Sequence, residues 1–236
     1  MTAGRIDHAP ARAQVRIPPV GCWINGRWLA PREGRTLPVV DPSTAEPFAE
    51  IAEAGEAEVD AAVQAARQAF ESHWCRSAPQ ERLAEIAQKH ADELALLESL
   101  DVGMIQPLAR RFAARSLVRN FEYYASWCDK LYGSVVPLPG EEAALDYVRR
   151  EPYGVVAAIT AWNTPLVFLG SKVGPALATG NTVVVKPSEL GSLSILRFAE
   201  LCAEADLPAG LINVVPGGPP TGQALVGHPG VDKISF

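Results

Sequence analysis

The chain is poor in cysteine. Cys22, Cys75, Cys128 and Cys202 lie far apart, and no two form a C-x-x-C pair. Zinc sites, other metal centres and disulfide frameworks are not expected, and this usage suits a reducing cytoplasm. Long apolar runs are also absent: nothing approaches the ~18 residues that a membrane-spanning helix needs. Arg5, Arg12 and Arg16 precede no apolar segment, so no secretory signal is expected, and residues 1–20 read as a disordered tail closed by Pro18-Pro19. No lysine or arginine run interrupts a chain of formal net charge −6, which argues against nucleic acid or an anionic membrane as partner. The dinucleotide fingerprint G-x-G-x-x-G is missing, because the glycines of Pro216-Gly217-Gly218-Pro219 have the wrong spacing.

What is present suits a packed α/β protein. With 236 residues, 48% of them hydrophobic, the chain can bury one large core or two smaller ones. Asn25-Gly26, set between Trp23-Ile24 and Arg27-Trp28, predicts a hairpin. From Glu56 the period becomes helical: Val59, Val63, Ala66 and Phe70 share a face, with Glu56 and Glu58 in the first turn. Ser77-x-x-Gln80 predicts a capping box, with Pro79 early in the helix that follows. That helix carries Leu83, Ile86, Ala87, His90, Leu94 and Leu97 on one stripe, where His90 reads as packed rather than as a ligand. An aromatic-rich third helix is predicted over roughly 108–131, so 56–131 is mainly helical.

The pattern changes after Gly133. Residues 145–150 alternate as an exposed antiparallel strand would. Gly154 to Thr160, Thr182 to Lys186 and Leu211 to Val215 are short runs rich in Val and Ile, as expected of strands buried on both faces, and a fourth starts at Asp232. Helices are predicted at 165–179, closed by Gly180, and at 193–205, with a shorter one before Asp232. Strands alternating with helices predict parallel βαβ units over 153–236.

Ligands of such sheets sit beyond the carboxyl ends of the strands. Asn163, after the first strand, can aim its NH₂ at a developing oxyanion; spacing alone leaves open an Asx turn leading into the helix. Lys186 and Glu189, after the second, suit a nucleotide ribose, and a carboxylate there repels a 2′-phosphate, favouring NAD over NADP. The alternative is a helix start with Ser188 as cap and an exposed Lys186.

In order along the chain, several segments resemble the aldehyde dehydrogenase superfamily. These are Trp23-Ile-Asn-Gly-Arg-Trp28, Asp41-Pro42, Leu97-Glu-Ser-Leu-Asp-Val-Gly103, Gly154-Val-Val-Ala-Ala-Ile-Thr-Ala-Trp-Asn-Thr-Pro-Leu166, Lys172-x-x-Pro-Ala-Leu-Ala-x-Gly-Asn181, Val183-Val-Val-Lys-Pro-Ser-Glu189, Leu211-Ile-Asn-Val-Val-Pro-Gly217 and Val231-Asp-Lys-Ile-Ser-Phe236. The resemblance covers about 21–236. It implies an aldehyde-dehydrogenase-like α/β fold: an incomplete Rossmann-type parallel sheet, a helical N-terminal segment, and an oligomerisation strand within 134–152. It implies NAD-dependent oxidation of an aldehyde to a carboxylic acid in a homo-oligomer, through thiolate attack, hydride transfer and hydrolysis by a Glu-activated water. Asn163 would be the oxyanion donor, and Lys172 would lie near the nicotinamide end. Thr160, Ala161, Trp162, Lys186, Ser188, Glu189 and Gly217 would contact the cofactor.

The departures are specific. The family is roughly twice this long, and its glycine turn, nucleophilic cysteine and general-base glutamate are expected beyond Phe236. The chain is therefore expected to be a truncated, inactive family member with an exposed apolar edge and marginal solubility. The alternative is a non-catalytic fragment that binds nucleotide weakly or associates with full-length subunits. Ala161 replaces the family's usual proline before Trp162. Pro219 stands where a second glycine is usual, removing an N–H at the adenine end of the site.

Overall fold

A computed structural model of the chain describes residues 8–72, 79–139 and 144–236. Cys75 and the predicted cap Ser77 lie outside the described residues. Asn25 and Gly26 take positive φ of 53° and 73°, as a two-residue type I′ turn requires. They join β1 (Cys22–Ile24) to β2 (Arg27–Leu29), and Trp23 meets Trp28 edge to face, 5.4 Å between centroids. A second antiparallel pair, β3 (Thr36–Asp41) and β4 (Glu46–Ala52), stands apart from the main sheet.

Residues 8–20 are not a free tail. A short helix, α1 (Ala9–Arg12), is held by Arg12 and His8, whose side chains reach the Asp41 carboxylate at 2.9 and 2.7 Å. Val15 and Ile17 pack on the core, and Arg16 pairs with Glu200. The sequence reading missed this because Asp41 is distant along the chain. Next comes α2 (Glu56–Glu71), whose first turn is closed by Glu58 accepting from Gly55 N at 2.8 Å. The predicted stripe from Leu83 to Leu97 is buried as expected, except at His90. There the single helix divides into α3 (Pro79–Lys89) and α4 (Ala91–Val102), and the imidazole faces Glu93 and Glu204, each at 3.4 Å. The third helix also differs. It runs as α5 (Gln106–Leu108), a π-helical stretch (Ala109–Ala114) and α6 (Arg115–Ala125), ending short of the predicted Leu131. Within it Phe121 is fully buried, while Phe112 is exposed.

The short strands β5 (Ser134–Val136) and β6 (Asp146–Val148) form an exposed antiparallel pair. The remaining elements alternate: β7 (Val155–Ile159), α7 (Pro165–Ala178), β8 (Thr182–Lys186), α8 (Leu193–Leu201), β9 (Ile212–Val214), α9 (Pro219–Val226) and β10 (Lys233–Ser235). The main sheet has the order β10-β7-β8-β9-β1-β2, with its first four strands parallel. The N-terminal hairpin completes it, antiparallel to β9, through the pair Trp23 and Val214. Asn213 secures this join by accepting from Asn25 N and donating to Gly210 O.

The central strands β7, β8 and β9 are covered on both faces, which is why they read as short apolar runs. Val156, Ala158, Val183, Val185 and Val214 belong to the larger core, together with residues of α3, α4, α6, α7 and α8. Val155, Ala157 and Val184 point the other way, into a smaller core with Val59, Ala62, Val63 and Ala66 of α2 and Leu225 of α9. Each fully buried valine contributes on the order of 2 kcal/mol through burial. The carboxyl ends of β7 to β10 are thereby fixed side by side.

Candidate functional site

Each of the first two parallel strands ends in a short loop that turns into a helix. After β7, Thr160 N donates to Lys186 O at 3.1 Å, extending the pairing with β8 by one residue. Thr160 Oγ1 is buried and has no hydrogen-bond partner among the described residues. Ala161, Trp162 and Asn163 then emerge from the protein surface, with Trp162 55% exposed. The Asn163 amide makes no hydrogen bond among the described residues, so it does not form the Asx turn that spacing left open. The helix instead starts at Thr164, whose carbonyl accepts from Val167 N and Phe168 N, with Pro165 at its first position.

After β8, the Lys186 side chain is only 7% exposed and its Nζ lies 3.6 Å from Glu189 Oε2. Burial pushes the ammonium below the ordinary lysine range, against the pull of Glu189. Lys186 is thus not the exposed residue of the alternative reading. Ser188 is not the helix cap either: its hydroxyl accepts from Leu190 N within the loop, and α8 starts later, at Ser192.

The loops touch. A Cβ on Gly191 would lie 3.1 Å from Trp162 O, 3.0 Å from Pro165 Cγ and 2.8 Å from Val102 Cγ1, so only glycine lets the two loops and the end of α4 meet. On the other side, α9 passes the Lys186 stem at Gly222. Gly217 has φ +148°, and a Cβ there would fall 2.1 Å from Thr221 Oγ1. That hydroxyl donates to Ala54 O at 2.6 Å, and Ala54 N donates to Pro216 O. Pro219 and Pro220 open α9, so its first two residues offer no N–H to an anion.

Lys172 sits two turns into α7, roughly 10 Å along the helix from Pro165. Its Nζ lies 3.3 Å from Ser235 Oγ at the end of β10 and 6.0 Å from the Phe168 ring centroid, and burial lowers its pKa. The structure thus places Thr160, Ala161, Trp162, Asn163, Lys186, Ser188 and Glu189 on adjoining loops, Gly217 on the next loop, and Lys172 beneath β10. A cavity of about 880 Å³ opens elsewhere, lined by Glu53, Gly55, Glu58 and Gln223 among others, and includes none of these residues.

Sequence reading missed Glu98 and Asp101, which lie on the buried face of α4. Glu98 Oε2 accepts from Leu166 N at 3.2 Å and from Ser194 Oγ at 3.1 Å. Asp101 Oδ2 accepts from Leu193 N at 2.8 Å. The available signal was two carboxylates standing four residues after Leu94 and Leu97, on an apolar stripe.

Among the described residues, no helix is long and apolar enough to cross a membrane. Residues 28–236 match the model of the aldehyde dehydrogenase family. The NADP/NAD-dependent aldehyde dehydrogenase PuuC of Escherichia coli is 44% identical over 222 residues, which cover 91% of this chain and 44% of that protein. Among solved structures, the aldehyde dehydrogenase KauB from Pseudomonas aeruginosa superimposes with a TM-score of 0.90 at 37% identity, covering 99% of this chain and 48% of KauB. PnpE from Pseudomonas sp. WBC-3, in complex with nicotinamide adenine dinucleotide, gives 0.86 at 42% identity, covering 92% and 45%. The chain spans less than half the length of each of these proteins.

Proposed function

The chain belongs to the aldehyde dehydrogenase family, and from that premise we propose that it serves NAD-dependent oxidation of an aldehyde to a carboxylic acid. The observation that carries this reading is the buried Lys186 paired with a part-exposed Glu189 at the end of β8, next to the β7 loop whose Asn163 amide has no hydrogen-bond partner among the described residues. The donor set fits a nucleotide ribose: Glu189 accepts from its hydroxyls and Lys186 donates to it. Thr160, Ala161, Trp162, Ser188 and Gly217 complete the wall against the cofactor, which supplies the hydride acceptor when bound. PnpE was crystallised with NAD and PuuC uses NADP or NAD; Glu189 favours NAD here, since its charge opposes a 2′-phosphate.

Asn163 points its amide donors at an aldehyde oxygen as negative charge builds there, a role worth on the order of 3 kcal/mol. Lys172, with its proton loosened by burial, handles a proton near the end of β10. Burial raises the pKa of the Cys22, Cys128 and Cys202 thiols, that of Cys22 to about 12, which disfavours each of them as the thiolate of the family reaction. These free thiols suit a reducing cytoplasm. The exposed β5–β6 pair, with Val135, Tyr147 and Val148 on its surface, is the segment through which subunits associate.

Calorimetric titration of the purified chain with NAD⁺ tests the assignment. Saturable binding that weakens at least tenfold in Lys186→Met is expected, and a wild-type chain that binds no NAD⁺ would sink it. Aldehyde-dependent NADH formation by this chain alone is expected to be absent, and steady turnover would contradict these residue roles. A second reading, nucleotide binding without turnover, is favoured by the raised thiols and would hold if NAD⁺ binds but subunit mixing restores no activity.

A further inference from the structure

We infer that Glu98 and Asp101 are positioning residues, which pin the Asn163 loop and the Lys186–Glu189 loop in one fixed relation. The inference rests on the reading of those loops as the cofactor and aldehyde site.

Both carboxylates come from one helix, α4, and stand one turn apart. Each is buried, with Glu98 fully enclosed and Asp101 4% exposed. Ionisable side chains on a buried helix face cost desolvation unless hydrogen bonds offset it. Here each holds the start of another helix. The first N–H groups of a helix have no partner within it. Glu98 takes one from α7 at Leu166, and Asp101 takes one from α8 at Leu193. Glu98 also takes the hydroxyl of Ser194, one residue further along α8. Helices α7 and α8 are the two that leave the candidate loops, so each loop is bounded by a strand end on one side and an α4 carboxylate on the other.

The close packing at Gly191 makes the arrangement one unit. There the second loop rests on Trp162 O, on Pro165 and on Val102, the residue after Asp101. Neither loop can shift without moving the other or breaking an α4 anchor. The remaining oxygens, Glu98 Oε1 and Asp101 Oδ1, have no partner among the described residues, so each anchor works through one oxygen. Burial pushes Glu98 up to about 8 and Asp101 up to about 7. A neutral amide is therefore a faithful substitute at Glu98, and Gln and Asn retain the accepting oxygen at the two positions.

The test uses the full chain in four variants: Glu98→Leu, Asp101→Leu, Glu98→Gln and Asp101→Asn. Amide hydrogen exchange reads the anchors whether or not any cofactor binds. In the wild type, Leu166 and Leu193 are expected to exchange at least tenfold more slowly than unanchored first-turn amides. The Leu variants should lose that protection at the anchored helix start, and the Gln and Asn variants should keep it. NAD⁺ titration reads the consequence: affinity should fall at least tenfold in each Leu variant and stay within threefold in Glu98→Gln and Asp101→Asn. Unprotected Leu166 and Leu193 in the wild type overturn the inference, and so do Leu variants that fold and bind NAD⁺ as the wild type does. If the Leu variants fail to fold, Ser194→Ala removes one donor to Glu98; raised exchange at Leu166 with weaker NAD⁺ binding supports the inference, and no change in either overturns it. A wild type with protected amides that binds no NAD⁺ fails the proposed function, leaves the anchors intact, and strips them of a positioning role.

Discussion

Lys186 Nζ lies 3.6 Å from Glu189 Oε2, and the two side chains differ in exposure, 7% against 37%. The lysine is fixed within the protein while the carboxylate faces outward, so the outward face of the pair is acidic. That asymmetry bears on the choice between NAD and NADP. Glu189→Gln is expected to raise the affinity for NADP⁺ relative to NAD⁺ by roughly tenfold, equivalent to about 1.4 kcal/mol. Titration with the two dinucleotides checks it, and an unchanged ratio would remove Glu189 from the selectivity argument.

Glu98 ties stability to pH. Burial raises its pKa from an ordinary 4.5 to about 8, outweighing the bonds from Leu166 and Ser194. Between those values the folded chain holds a proton that the unfolded chain releases, so stability falls as pH rises through the window. Its contribution is complete below about 4.5 and lost by about 8. Urea denaturation at pH 5.5 and pH 8.5 (roughly spanning the upper part of that window) is expected to show lower stability at the higher pH. Glu98→Gln should flatten the difference, leaving the part that Asp101 contributes.

Asp41 behaves in the opposite sense. Burial opposes its charge, but bonds from the Ser43 hydroxyl and N–H, from Arg12 and from His8 outweigh it and hold the carboxyl far below the ordinary range. Its contribution is present above the ordinary value of 3.8 and lost as pH falls through the lowered one. Asp41→Asn is expected to cost about 1–3 kcal/mol at neutral pH and to release residues 8–20 from the body. Limited proteolysis should then cut within that segment; cleavage no faster than in the wild type would deny the anchoring role.

Gly217→Ala tests the loop beneath α9. With φ at +148° and a Cβ 2.1 Å from Thr221 Oγ1, alanine must displace the hydroxyl that holds Ala54. A loss of roughly 1–3 kcal/mol is expected from the backbone strain alone. Thermal unfolding measures it, and a melting temperature equal to the wild type's would show that the loop relaxes freely.

Features specified by neighbouring residues were the ones legible in the sequence. Asn25-Gly26 forms its turn from two residues' own φ preferences, and Val183 to Val185 form a buried strand from composition. Lys186 and Glu189 meet because they stand three positions apart. What escaped was set by distant partners. His90 interrupts a continuous apolar stripe where its ring faces Glu93 and Glu204, the latter 114 residues away. Arg12 finds Asp41 across 29 residues, and Glu98 finds Leu166 across 68. A carboxylate that caps another helix shows locally only as an acid on an apolar stripe, and nothing near it names the helix it caps. The exposed Asn163 was visible as a candidate, but only the geometry removed the Asx turn as its competitor.

The hydrogen bond from Asn25 N to Asn213 Oδ1 joins residues 188 apart in the chain. At synthesis rates of ~5–20 residues per second, β1–β2 leaves the ribosome roughly 10–40 s before the strand it must pair with exists. A lone two-stranded ribbon is marginal in water, so Trp23 and Ile24 wait unsheltered through that interval. The sheet is closed by one of its earliest-made strands meeting a late one, so this join waits on the making of β9.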